Sequence, residues 1–163
     1  MHPYAARWFR LPGPEALTVA CRTGELPDAQ TTPEEAEEVA VEHVPSAPLM
    51  VRRMFLRGMN YFDERFGDHW SDLELCWQLR NAGKPILILP GVQVTYHQPP
   101  PAAGDAVHRA DCVIGASGYL AKHFGTGAGV KLRLMAGLRA LASADLGVVS
   151  ALLSGQKVDG THL

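Results

Sequence analysis

The sequence has no marked excess of positive or negative charge: Lys and Arg number 15 against 17 Asp and Glu, a formal net charge of -2. With no stretch that is basic and aromatic together, there is no electrostatic case for binding nucleic acid. Cysteine is scarce. Cys21, Cys76 and Cys112 are an odd, widely spaced set without a Cys-x-x-Cys pair, which argues against a disulfide framework or a zinc site and suits a reducing compartment. Long apolar runs are absent too. None reaches the roughly 18 uncharged residues of a membrane span, and the nearest candidate, Leu132 to Leu153, is interrupted by Arg133, Arg139 and Asp145. The first residues, Met1 to Trp8, lack the apolar core of a secretory signal. These absences point to a cytoplasmic protein, with contact to the inner face of a membrane left open.

What is present suits one ordinary globular domain: 163 residues, 47% apolar and 20% charged, enough to build a core. Pro3, Pro12, Gly13, Pro14, Gly24 and Pro27 punctuate the first thirty residues and predict loops, with one strand at most and no long helix. Thr32-Pro33-Glu34-Glu35 reads as a helix start, and Val39 to Val44 as a strand. Leu49 to Arg53 reads as a short strand leading into a helix around Met54 to Met59, with Asn60 as its stop.

Ser71 is expected to open the clearest helix, with Leu75, Cys76 and Leu79 on one face and Gly83 closing it. Pro85 to Leu89 reads as a buried strand, and Val92 to His97 as another, ended by Gln98-Pro99-Pro100-Pro101. Ala106 to Phe124 and Val130 to Leu153 read as two helices separated at Gly125-Thr126-Gly127. The chain therefore divides into an irregular segment (1–38), a mixed α/β region (39–104) and a helical extension (105–163).

The most informative stretch runs from Tyr61 to His97. Phe62-Asp63-Glu64-Arg65-Phe66, then Trp70-Ser71-Asp72-Leu73-Glu74-Leu75-Cys76-Trp77-Gln78-Leu79-Arg80, then Asn81-Ala82-Gly83, Leu89-Pro90 and Thr95-Tyr96-His97, follow one another in order. This series resembles the second, acceptor-side half of bacterial family 2 glycosyltransferases, in particular their rhamnosyltransferase-like members. Upstream, Ser46 to Arg53 looks like the family's segment before that turn. Downstream, Tyr119 to Gly125 and Ser154 to Lys157 look like its helical tail. The resemblance covers roughly residues 40 to 157, and its specificity lies in the order and spacing of the elements.

The resemblance implies an α/β fold: part of a GT-A sheet followed by a helical tail. It implies transfer of a sugar from a nucleotide-sugar donor to a glycan or lipid-linked acceptor with inversion, in polysaccharide or cell-envelope assembly. Asp72 matches the family's base, and a carboxylate that is ionised at neutral pH can take the acceptor hydroxyl's proton as that hydroxyl attacks. His97 matches a histidine near the diphosphate and its divalent metal, Mg2+ or Mn2+. Trp70 and Glu74 are candidates for substrate contact. Read without the resemblance, Ser71 to Glu74 is a helix capping box, Trp70 is a staple against the helix's first turns, and His97 is a hydrogen-bonded strand end.

The chain departs from the family in several places. Nothing before Tyr61 carries the strand–helix alternation or the Asp-x-Asp of a nucleotide-binding half, and Asp28 has no partner at +2. Ser71 stands where the family has glutamate, Ser46-Ala47-Pro48 lacks its glycine, and Gln98 replaces a second histidine. A truncated enzyme with little or no activity alone is therefore expected, and its exposed sheet edge leaves a partner chain or a homo-oligomer open. The alternative expectation is a non-catalytic module that binds a glycan, a partner or a membrane.

Overall fold

Eight consecutive residues, Ala110 to Ser117, carry small or apolar side chains around one buried aspartate, so the helix holding them is enclosed on every side. The computed structural model describes residues 7–32, 35–44, 49–58, 63–92, 94, 105–155 and 158. In chain order these form β1 (Arg7–Trp8), α1 (Pro14–Thr23), β2 (Gln30–Thr31), β3 (Val39–Val41), α2 (Arg53–Gly58), a 3₁₀ turn (Glu64–Phe66), α3 (Gly67–Asn81), β4 (Ile86–Ile88), α4 (Ala106–Phe124), α5 (Thr126–Ala142) and α6 (Leu146–Ser154).

The chain is mostly helical, and helix α4 is its hub. Leu17 and Ala20 of α1, Phe66, Trp70 and Leu73 beside α3, and Leu132 of α5 pack with Cys112, Ala116, Tyr119 and Leu120 of α4. Ala110, Val113 and Ile114 of α4 meet Ala140 and the α6 residues Val148, Ala151 and Leu152. The other face of α3 (Leu75, Cys76, Leu79) covers Val41 of β3 with Ile86 and Ile88 of β4. Helix α3 is thus the layer between the small sheet and the helical bundle, which is why residues 72 to 76 are all buried.

The strands form two antiparallel ladders, β1 with β2 and β3 with β4, the latter in the register Val39–Ile88, Ala40–Leu87 and Val41–Ile86. Among the described residues an isolated antiparallel bridge, Phe9 to His43, links the two ladders. Among the described residues no GT-A sheet is evident; the expected partial sheet is reduced to these short antiparallel pairs. Prolines bound β4 on both sides, at Pro85 and Pro90, and stop it from lengthening.

Other expectations divide. The strand at Pro85 to Leu89 is present as β4, though with Leu87 43% exposed it has one wet face. Glycine closes α3 as expected: Gly83 has φ +66, its N–H donates to Arg80 O, and the Lys84 N–H reaches Leu79 O, a complete Schellman arrangement.

The first thirty residues, expected to be loops with no long helix, contain α1, ten residues long. The punctuation misled because it brackets the helix: Pro14 occupies the first turn after Gly13, and Gly24, at φ +84, ends it. No helix follows Thr32 among residues 35 to 38, with Pro33 and Glu34 outside the described residues. Residues 49 to 52, Val92 and Val94 are not strand. The expected long last helix is two, broken where Ala144 turns left-handed (φ 54) and Asp145 caps α6 by accepting from the Val148 N–H.

Candidate functional site

Helix α3 does not begin at Ser71. The 3₁₀ turn runs directly into it, Phe66 is its N-cap residue at 1% exposure, and no side chain caps it. The capping box expected at Ser71 to Glu74 therefore does not exist. Those residues lie in the second turn and beyond, where the backbone N–H groups already have partners within the helix. Asp72 and Glu74 are consequently held for reasons other than capping, and they point to different neighbours.

Asp72 is on the sheet side. It is 8% exposed, and Oδ1 accepts from the Leu73 N–H at 2.7 Å. The same oxygen stands 3.7 Å from Nε2 of His43, whose side chain is 4% exposed. His43 is fixed by its backbone: its N–H donates to Phe9 O at 3.1 Å, and its carbonyl accepts from the Phe9 N–H at 3.0 Å. Neither of its ring nitrogens has a hydrogen-bond partner among the described residues. Residue-by-residue reading missed His43 as part of a site, because its only signal was its position at the end of a short strand.

Glu74 faces the bundle and is 1% exposed. Oε1 accepts from Lys122 Nζ at 2.6 Å and from Gln78 Nε2 at 2.8 Å, while Oε2 lies 2.6 Å from His123 Nε2. The His123 ring packs at a tilt against both Trp77 and Tyr119, with centroids at 3.9 and 4.5 Å. Burial first, and then the neighbouring Glu74 charge, push the Tyr119 hydroxyl well above its ordinary range. Lys122 also comes within 3.9 Å of Asp63, which Arg65 grips through two short contacts of 2.9 and 2.7 Å. The carboxylate of Glu74 is thus saturated by its own protein and ties α3 to α4.

Trp70 is 6% exposed and donates its indole N–H to Cys112 O at 2.8 Å. Its ring is part of the core between α3 and α4 and presents no face to a ligand. His97 lies outside the described residues, as do Ser46 to Pro48 and Phe62. The structure therefore brings Asp72 together with His43, places Glu74 and Trp70 on the opposite flank of α3, and leaves His97 out of the account.

A divalent cation needs several converging oxygen or nitrogen donors. Among the described residues no three His, Cys, Asp or Glu side chains meet that need. They do not fit the ion that the sequence resemblance implies, and no chemistry below passes through one. A shallow depression of about 370 Å³ is lined by Trp8, Arg10, Ala40, Val41, Glu42 and Arg80. It holds none of the residues singled out from the sequence. Glu42 is spent there on Arg80 at 3.1 Å and on the Leu11 N–H at 2.9 Å.

The three cysteines are free thiols. Although 91 positions apart, Cys21 and Cys112 are in contact, with the sulfurs 3.6 Å from each other across the α1–α4 packing. Comparison with known proteins gives no match to a family model, to a curated protein or to a solved structure.

Proposed function

We propose that this chain is the acceptor-side portion of a glycosyltransferase of the family 2 type, and that Asp72 is its base. In this reading the β3–β4 ladder with α3 packed on it is the edge of a larger GT-A sheet. The observation that carries the proposal is that Asp72 is not consumed as a helix cap. It sits in the second turn of α3 with an enclosed imidazole, His43, 3.7 Å away.

The chemistry follows from that pairing. An acceptor hydroxyl attacks the anomeric carbon of a nucleotide sugar, and its proton passes to the Asp72 carboxylate. The bond from that carbon to the phosphate oxygen breaks, with its electron pair leaving on the nucleoside diphosphate, so the configuration inverts. His43 is a positioning residue: its enclosed ring, with Nε2 3.7 Å from Oδ1, would fix the orientation of the Asp72 carboxylate. The donor and its diphosphate would be bound by a nucleotide-binding half that the sequence does not display.

The test combines turnover with fold stability. The chain is incubated with nucleotide-sugar donors, Mn2+ and a set of glycan and lipid-linked acceptors. Transfer by the chain alone is expected to be very weak at most, falling on the order of 10²-fold or more in Asp72→Asn with an unchanged melting temperature. Transfer that survives Asp72→Asn removes Asp72 from the role. Saturable glycan binding with no transfer from any donor replaces the enzymatic reading with a non-catalytic glycan-binding module. The near-complete burial of Asp72 is the observation on that reading's side.

A further inference from the structure

We propose that the outward face of α5 docks on an anionic lipid surface. The helix buries Gly129, Leu132 and Ala140. On the opposite side Val130, Leu134, Leu138 and Leu141 are 57%, 62%, 67% and 56% exposed. Their spacing of four, four and three residues sets them in one stripe along the helix, where a surface helix ordinarily carries polar side chains. Met135 widens the stripe, and Leu146 and Leu153 of the following helix are more exposed still, at 71% and 83%. Apolar surface gathered in this way, rather than scattered, marks a contact face.

Charge selects the occupant. Every charged residue of α5 is basic: Lys131, Arg133 and Arg139. From 126 to 154 the only acidic residue is Asp145, which Arg109 neutralises at 2.7 Å, in a chain whose formal charge is -2 overall. Arg133 is turned toward α6, donating to Leu152 O at 2.6 Å, whereas Lys131 and Arg139 are exposed beside the stripe.

An apolar stripe with a basic border and no acidic one matches the boundary of an anionic bilayer, where leucines enter the acyl region and cations meet phosphates. A two-fold contact between copies of this chain would instead repeat the same basic border on both sides. Among the described residues no helix is long and apolar enough to cross a membrane, so α5 would lie along the surface over its length of about 25 Å. The inference does not depend on the role of Asp72.

The experiment is co-sedimentation of the full chain with vesicles, either pure phosphatidylcholine or equal parts phosphatidylcholine and phosphatidylglycerol. Binding to the anionic vesicles is expected, weakening as salt is raised. Lys131→Gln and Arg139→Gln should each weaken it roughly fivefold, and Leu134→Glu combined with Leu138→Glu should abolish it. All four side chains are exposed, so unchanged thermal melting is the control for folding. Three outcomes overturn the proposal: no binding to either vesicle, binding that ignores the leucine substitutions, or a dimer in solution that Leu134→Glu dissociates. The last assigns the stripe to a second copy.

Discussion

Glu74 Oε2 lies 2.6 Å from His123 Nε2, and their side chains are 1% and 4% exposed. Two residues from α3 and α4 thus share a charge-assisted contact inside the bundle, joined by Lys122 and Gln78 on the other oxygen. Removing one partner of such a group leaves the rest enclosed without compensation, which costs about 3–5 kcal/mol. Glu74→Ala is expected to lose stability in that range by urea unfolding. Lys122→Met should cost clearly less, because Lys122 is 39% exposed and water replaces its partner. Equal costs would show that Glu74 is held mainly by Lys122.

Gly115 is the position where α4 touches the start of α3. A Cβ there would fall 2.2 Å from Phe66 O and 2.9 Å from the Trp70 ring. In an isolated helix Gly→Ala gains about 1 kcal/mol; here the backbone carbonyl cannot move aside without shifting α3. Gly115→Ala is therefore expected to destabilise the chain by roughly 1–3 kcal/mol or more. Gly137→Ala, with open space around its Cβ, serves as the stabilising control in the same melting experiment.

Thiol reactivity should follow enclosure. Burial, opposed by a backbone hydrogen bond and aided by the Asp72 charge, pushes the Cys76 thiol up to about 11. Cys21 is half-buried, whereas Cys76 and Cys112 are buried. Under native conditions near pH 8, iodoacetamide followed by peptide mass spectrometry should find Cys76 largely unmodified, because it is buried and its thiol is raised. All three should react once urea unfolds the chain. The raised Cys76 value also predicts that stability falls as pH climbs from the ordinary thiol range toward 11, since the unfolded thiol ionises first. Cys76→Ser should make that alkaline slope shallower, leaving the share that the raised Tyr119 hydroxyl contributes.

Asp63 titrates on the acid side. The side-chain hydrogen bond from Arg65 holds its carboxyl below the usual carboxylate range. A lowered folded value means that the pair's contribution is complete above the ordinary range and is lost only as pH falls through the lowered value. Asp63→Asn should therefore narrow its stability difference from the parent chain as pH drops from neutral into that range. The difference itself should be small, because Arg65 is 71% exposed. Melting temperature across an acid pH series checks both points.

Local signals were legible wherever a residue acts through its own backbone or its periodicity. The end of α3 could be read because Gly83 permits the left-handed turn that returns the Lys84 N–H to Leu79 O. The apolar run before Pro90 could be read as β4, and Ala106 to Phe124 as α4, bounds included. The start of α3 could not, because Phe66 caps it by being pinned in the core, and a buried N-terminus carries no Ser or Asp signature. For the same reason Trp70 and Glu74, read as candidates for substrate contact, are found enclosed against α4, more than thirty residues away in sequence.

Spacing and composition alone were enough for the strand from residue 39, for β4, α4 and the closing glycine of α3, and for the apolar, basic character of α5, but not for residues 49–52, Val92 and Val94, which are not strand. The former depend on spacing, on φ restrictions and on charge, which a chain carries wherever it goes. Packing in three dimensions is what gives Asp72 and Glu74, two positions apart on one helix, different partners. Residues two apart on a helix point about 200° apart around its axis, and with α3 covered on both sides one carboxylate meets His43 while the other meets Lys122 and His123.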